Sequence, residues 1–154
     1  MKRLLNLLLP VVVCFMVGFT ASYFQSDAIE SWYPYLNKPA LTPPNAVFPI
    51  AWGIIYVCMG ISIGLILNSK DKKKNFFLLL FGIQLFLNFL WSLSFFYLQN
   101  PLLGLINIVL LDLAVLYYIL KTYPTQKASA LLFIPYALWL FFATYLNAYI
   151  LVYN

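Results

Sequence analysis

The chain has 154 residues, of which 64% are hydrophobic, 19% aromatic and only 8% charged. Soluble domains carry about a quarter charged residues, so this composition excludes an ordinary soluble globule and indicates a membrane protein. Histidine is absent, which excludes histidine-built zinc sites, Ser-His-Asp catalysis and histidine-ligated haem. The net charge of +5 comes from residues in short segments between apolar runs, a pattern that favours membrane topology over nucleic-acid binding.

Charged residues divide the chain into apolar windows long enough to cross about 30 Å of hydrocarbon as helices. The first window also resembles a signal peptide. Its apolar stretch is longer than a signal peptide requires and no clear small-residue cleavage site follows, which favours a retained helix. The predicted helices cover about residues 4–25, 47–68, 75–99, 102–120 and 128–152. The sequence therefore predicts an all-α membrane protein, a five-transmembrane-helix bundle in a single domain spanning residues 1–154, with a kink at Pro135.

Basic residues between the predicted helices set the expected orientation, because Lys and Arg in short loops favour the cytoplasmic side. Eight of the nine fall on one side: Lys2, Arg3, Lys70, Lys72, Lys73, Lys74, Lys121 and Lys127. The opposite side has only Lys38. We expect an integral protein of a bacterial inner or cell membrane, with the N-terminus cytoplasmic and the C-terminus outside.

The connection between helices 1 and 2, about residues 27–45 and called loop 1 below, is the only one long enough to do more than join helices. It contains Trp32, Tyr33 and Tyr35 together with four prolines, a composition that gives a stiff segment with large flat faces. An aromatic belt at the membrane interface is the alternative interpretation. The clustering with prolines favours a shaped lid.

Polar and aromatic side chains recur at helical spacing within the spans, where polar groups turn away from lipid. The inward-facing residues are predicted to be Gln84, Asn88, Trp91, Ser92, Phe95 and Gln99 on helix 3, and Tyr136, Trp139, Ala143, Leu146 and Asn147 on helix 5. Helix 2 adds Trp52 and Tyr56, and helix 4 adds Asp112, the only acid within a span. Such a lining indicates a pocket for a large flat apolar ligand. Hydrogen bonding between helices is the alternative for Asn88, Ser92 and Asp112.

Helix 2 also contains Gly60 and Gly64, a spacing of small residues that supports close helix contact. The sequence leaves open whether the partner helix belongs to the same chain or to a second copy.

Two ordered motifs resemble the TspO/MBR family, the tryptophan-rich sensory proteins and translocator proteins once called peripheral-type benzodiazepine receptors. The first is Trp32-Tyr33-x-x-Leu36-x-Lys38-Pro39 with Pro43-Pro44 in loop 1. The second is Pro135-Tyr136-x-x-Trp139-x-x-Phe142-Ala143-x-x-Leu146-Asn147 in helix 5. With Trp52 and the run Asn88–Ser92 between them, the resemblance covers nearly the whole chain.

The resemblance implies a five-helix bundle, usually a homodimer, whose pocket lies under loop 1. Members bind porphyrins such as protoporphyrin IX, cholesterol in animal mitochondria, and synthetic isoquinoline or benzodiazepine drugs. Carried over position by position, the ligand-binding residues would be Tyr33, Pro43, Trp52, Asn88, Trp91, Ser92, Asp112, Trp139, Ala143 and Leu146. The basic residue that the animal sterol motif needs near the end of helix 5 is missing here, which makes sterol transport doubtful.

The sequence and the resemblance lead to three functional hypotheses. The leading hypothesis is a membrane-embedded tetrapyrrole sensor or translocator-like protein that stacks the ring on Trp52, Trp91 and Trp139, with no required cofactor, no metal and no nucleic-acid partner. The second, resting on resemblance alone, is light-dependent porphyrin degradation with Trp52 and Trp139 as redox-active candidates for catalysis. The third, transport of a small metabolite, ranks lowest because no internal repeat or paired broken helices are visible.

Overall fold

The computed structural model describes residues 1–154 and contains helices and no strands. Its elements are α1 (Lys2–Ser31), a 3₁₀ turn (Tyr33–Tyr35), α2 (Val47–Asn68), α3 (Lys74–Ser92), a π-helical turn (Leu93–Tyr97), α4 (Pro101–Thr122), α5 (Lys127–Leu131) and α6 (Ile134–Tyr153). Counting α3 with the π turn, and α5 with α6, five segments are long and apolar enough to cross a membrane. The all-α five-helix architecture is confirmed.

Helices 3 and 4 lie within two residues of their predicted bounds, whereas the first and last spans differ from the prediction. Helix α1 continues through Asp27 and Glu30, about six residues beyond its apolar stretch, and ends at Ser31 just before the 3₁₀ turn that contains Pro34. Loop 1 is correspondingly shorter at its start and covers residues 32–46. The last span is broken at Leu132–Phe133, and Pro135 lies in the first turn of α6, where its missing N–H costs no helical hydrogen bond. The predicted kink is therefore a helix boundary.

The five spans form a closed ring in the order 1, 2, 5, 4, 3. The contacts that define this order run from α1 to α2, from α2 to α5 and α6, from α6 to α4, from α4 to α3, and from α3 and the π turn back to α1. A ring of five helices encloses an interior that side chains fill at one end and leave open at the other.

The glycines of α2 make a close contact with α1 of the same chain. A Cβ on Gly64 would lie 2.7 Å from the backbone oxygen of Asn6, and a Cβ on Gly60 would overlap the backbone of Val11. A hydrogen bond of 2.8 Å from Asn6 Nδ2 to Asn68 Oδ1 extends the contact to the end of the helices. The spacing of small residues thus serves packing within the chain.

The basic end of the bundle is solidly packed. Ser62 Oγ donates to the carbonyl oxygen of Ser129 at 2.8 Å and lies 3.0 Å from the hydroxyl of Tyr118. Ser129 Oγ donates back to the carbonyl of Ser62 at 2.9 Å. The rings of Tyr118 and Phe133 pack with centroids 4.2 Å apart and are fully buried. This network joins α2, α4 and α5 in one rigid unit.

Candidate ligand cavity beneath loop 1

A cavity of about 410 Å³ lies between the helices at the end of the bundle nearest loop 1. It is lined by 23 residues, of which 14 are hydrophobic. They come from α1, loop 1, α2, α3, the π turn and α6, and none comes from α4. The volume falls within the range of pockets that take small organic ligands.

The floor of the cavity is an aromatic and amide cluster. Trp52 stacks on Tyr56 with ring centroids 5.5 Å apart and planes at 28°. Tyr56 contacts Asn88 through a long hydrogen bond of 3.5 Å, and Asn88 Nδ2 donates to the hydroxyl of Tyr136 at 2.8 Å. Asn88 therefore both lines the cavity and makes a hydrogen bond between helices.

The wall formed by α3, the π turn and α6 presents a second stacked pair. Trp91 and Phe95 have centroids 5.6 Å apart and nearly parallel planes, at 15°. The indole N–H of Trp91 donates to Asn147 Oδ1 at 3.2 Å, and Asn147 Nδ2 donates to the carbonyl of Pro101 at 2.8 Å. These bonds fix the orientation of the indole and leave its apolar surface available to the cavity.

The π-helical turn contributes two consecutive residues, Phe95 and Phe96, to the cavity lining. A π turn inserts one extra residue into a helix and redirects its face. The two rings contact each other edge to face at 4.8 Å. Two residues after the turn, Gln99 has a positive φ of 48°.

Loop 1 covers the cavity through Tyr33. The Tyr33 ring packs 5.6 Å from that of Phe96, centroid to centroid. Lys38 Nζ donates to the carbonyls of Tyr33 and Pro34 at 2.8 and 3.2 Å and lies 4.7 Å from the centre of the Tyr33 ring. Burial raises the pKa of the Tyr33 phenol, so this side chain is neutral at physiological pH.

The remainder of loop 1 is tied to the end of α6. The backbone N–H of Asn37 donates to Asn154 Oδ1 at 2.8 Å, Asn37 Nδ2 donates to the carbonyl of Tyr153 at 3.0 Å, and Asn154 Nδ2 donates to the carbonyl of Asn37 at 3.2 Å. These three bonds, called the Asn37–Asn154 clasp below, hold the loop over the mouth of the cavity.

Seven of the ten predicted binding residues line this cavity: Tyr33, Trp52, Asn88, Trp91, Ser92, Ala143 and Leu146. The other three do not line it. Trp139 packs edge to face on Phe48, with centroids 5.8 Å apart, and Phe48 itself lines the cavity. Asp112 Oδ2 accepts a hydrogen bond of 2.7 Å from Thr144 Oγ1, in the contact between α4 and α6. Pro43 is half-buried in loop 1, and Asn45 is the residue near it that lines the cavity.

The sequence interpretation missed the wall supplied by α1. Its lining residues recur every three or four positions and include Phe15, Phe19, Ser22, Gln25 and Ile29. The signal was present, because Ser22 and Gln25 are polar side chains three residues apart, just after the apolar stretch of residues 7–19. No group of three or more Cys, Asp or Glu side chains is arranged to hold a metal ion.

Comparisons with known proteins agree with the architecture. The model of the TspO/MBR family matches residues 10–153. The chain is 40% identical over 155 residues to the tryptophan-rich protein TspO of Chlorobaculum tepidum, with 99% of this chain and 98% of that protein covered. It is also 40% identical over 157 residues to the protein of the same name from Archaeoglobus fulgidus, with 99% of each covered.

The human translocator protein is 32% identical over 132 residues, which cover 84% of this chain and 78% of the human protein. The resemblance seen in loop 1 and the last helix thus extends along the chain in relatives from bacteria, archaea and animals. On the match of the family model and the identity to these relatives, the chain belongs to the TspO/MBR family of membrane proteins.

Proposed function

We propose that the protein binds a flat, mostly apolar tetrapyrrole, such as protoporphyrin IX, in the cavity beneath loop 1 and acts as a membrane sensor or translocator-like protein for it. One observation supports this above all. Two stacked aromatic pairs, Trp52 with Tyr56 and Trp91 with Phe95, line one cavity of about 410 Å³ from different helices. Flat aromatic faces stabilise a planar macrocycle through stacking and apolar burial.

The polar groups of the cavity are consistent with an apolar ring. Asn88, Trp91 and Asn147 already have hydrogen-bond partners within the protein, so an apolar ligand would leave none of these bonds unmade. No Lys or Arg lines the cavity. The carboxylates of a porphyrin would therefore lie at the mouth, toward Lys38, while the ring lies deeper between Trp52 and Trp91.

Titration of protoporphyrin IX into the detergent-solubilised protein tests this proposal. We expect saturable binding. It is measured by tryptophan quenching in the wild type and by the shift of porphyrin absorption in variants that lack a tryptophan. The Trp52→Phe/Trp91→Phe double variant should bind at least about tenfold more weakly, because two stacking faces become smaller. Binding that does not saturate, or an unchanged Kd in the double variant, would contradict the proposal.

We also propose that the basic end of the bundle faces the cytoplasm. Impermeant maleimide labelling of intact cells tests this in a chain whose Cys14 and Cys58 are replaced by Ala. Glu30→Cys, beside loop 1, should label in intact cells, and Lys72→Cys only after lysis. The reverse pattern would overturn this orientation.

A homodimer is proposed on the family resemblance. Because Gly60 and Gly64 pack on α1 of their own chain, the seam between copies would lie on another surface. Sedimentation equilibrium in detergent should give twice the protein mass of one chain. A single-chain mass across the accessible concentration range would contradict a stable dimer.

A further inference from the structure

Helices α1 and α2 separate progressively toward loop 1. At Gly60 and Gly64 their backbones touch, as described above. Farther along, a Cβ on Gly18 of α1 would collide with the side chain of Tyr56, so a ring fills the space between the helices there. At Gly53 an added Cβ would have no neighbouring atom within 4 Å. The helix pair is thus closed at one end and open at the other.

The open part of this helix pair is a boundary of the cavity. Gly53 lines the cavity, and so do Phe15 and Phe19 on α1. Phe15 is 43% exposed and Phe19 is 83% exposed, although both also line the interior. Side chains that contact a cavity and remain exposed to this degree lie at an opening in its wall.

The depth of this opening places it among lipid chains. Phe19 is close to the middle of α1, which has 30 residues and a length of about 45 Å. Gly53 lies six residues after the start of α2. Ile50 and Ile54, on either side of it in the sequence, are 64% and 57% exposed, which is typical of a lipid-facing surface.

We propose that the cavity opens sideways into the bilayer through a window between α1 and α2, bounded by Phe15, Phe19 and Gly53, and that apolar ligands enter from the lipid phase. The inference rests on the proposed binding function for its ligand. The route through loop 1 is held by the three hydrogen bonds of the Asn37–Asn154 clasp. The three residues that bound the window have no polar side chain and make no side-chain hydrogen bond that must break.

The window itself can be tested without any ligand. In a variant with Trp52 as its only tryptophan, made by Trp32→Phe, Trp91→Phe and Trp139→Phe, brominated acyl chains should quench Trp52 because the window admits them. Adding Gly53→Leu should reduce this quenching by at least half. Gly82→Leu is the matched control, since Gly82 also has no atom within 4 Å of an added Cβ but does not line the cavity. Absence of quenching in the starting variant, or equal quenching with Gly53→Leu, would overturn the window.

Ligand kinetics then distinguish the two routes of entry. In proteoliposomes equilibrated with protoporphyrin IX, Gly53→Leu should slow association at least about tenfold, and Phe19→Ala should accelerate it several-fold. Asn37→Ala, which weakens the clasp, should leave the rate unchanged. Acceleration by Asn37→Ala together with unchanged rates in both window variants would show entry through loop 1 and overturn the inference.

The two proposals fail in different ways. If protoporphyrin IX does not bind the wild type at equilibrium, the proposed function fails, while the bromolipid quenching still decides whether the window exists. If binding is normal but neither window variant changes the association rate, the window inference alone fails.

Discussion

The two ends of the helix bundle are built from the same five spans and differ in what fills the space between them. At the basic end, Gly60 and Gly64 bring α1 against α2, and Ser62, Tyr118 and Ser129 form a hydrogen-bonded contact among three helices. At the loop 1 end, the interior is a cavity between stacked aromatic pairs. The comparison indicates that close packing at one end stabilises the bundle, whereas the other end is built around a cavity.

The residue types differ accordingly. Small residues at the basic end allow backbones to approach, so that close packing replaces the hydrophobic effect that is absent in lipid. Large rings at the loop 1 end hold helices apart and present flat faces. Substitutions should therefore separate into those that change folding and those that change binding, which the following predictions test.

The largest expected effect is that of Gly60→Leu. The new side chain has no room, because even a Cβ overlaps the backbone of Val11, and a backbone cannot move aside as a side chain can. We expect a loss of about 3 kcal/mol or more in the free energy of unfolding. Gly53→Ala, where the added methyl meets nothing, should be neutral or stabilising by up to about 1 kcal/mol through helix propensity. Thermal unfolding in detergent measures the stability of both variants. Equal stabilities would contradict the difference in packing between the two ends.

A smaller loss of stability is expected for Ser62→Ala. This change removes the hydrogen bond to the carbonyl of Ser129 and leaves the buried hydroxyl of Tyr118 without its partner. The cost should be about 1–2 kcal/mol, with no change in the Kd for protoporphyrin IX. Ser26→Ala, which removes an exposed hydrogen bond to the carbonyl of Tyr23, is the control and should change neither quantity. A loss of porphyrin affinity in Ser62→Ala would mean that the two ends are coupled.

The affinity for protoporphyrin IX should change unequally when two tryptophans are replaced, although the sequence predicts that both contact the ligand. Trp52→Phe should raise the Kd for protoporphyrin IX about fivefold, since a lost indole face is worth about 1 kcal/mol. Trp139→Phe should raise it less than about twofold, because Trp139 does not line the cavity and contacts the lining residue Phe48 instead. The porphyrin absorption shift gives both values. An equal effect of the two changes would show that Trp139 reaches the ligand.

The sequence predicts the spans well because apolar length and charge determine where a chain can cross a membrane. Helix α2 begins and ends at the predicted residues, 47 and 68. Helix α1 is longer than predicted because Asp27 and Glu30 mark the end of the apolar stretch, while the helical hydrogen bonds continue to Ser31. Hydropathy locates the point where a helix leaves the membrane. The helix itself ends where its backbone hydrogen bonds end, which is a different residue here.

The inward faces of the helices are less predictable, because periodicity identifies a buried face without naming the neighbour it meets. Trp139 and Ala143 share a face of α6, yet only Ala143 lines the cavity. The side chain of Asp112 is buried as expected, but it contacts Thr144 and does not line the cavity. The wall from α1 was missed because Phe15 and Phe19 resemble ordinary lipid-facing residues in a sequence. Only the ring order of the helices shows what each face contacts.

The smallest expected effect concerns the loop between α2 and α3, at the basic end. Hydrogen bonds from Thr125, from the backbone N–H of Lys73 and from Gln126 hold the pKa of Asp71 below its usual range. A lowered pKa means that the folded state favours the carboxylate, so this contribution is present above the ordinary aspartate pKa of about 4 and is lost as the pH falls through the lower folded value.

Asp71→Asn should therefore lower the unfolding temperature slightly at pH 6, and the difference from the wild type should vanish below the folded-state pKa. The effect stays small because Asp71 is on the surface, where solvent screens its interactions. Lys72→Gln, a neighbouring change that removes no bond to Asp71, serves as the control. Melting curves from pH 6 down to 3 measure the dependence. A difference that stays the same at every pH would mean that the Asn side chain disturbs the loop itself, and that the charge of Asp71 adds nothing to the packed end of the bundle.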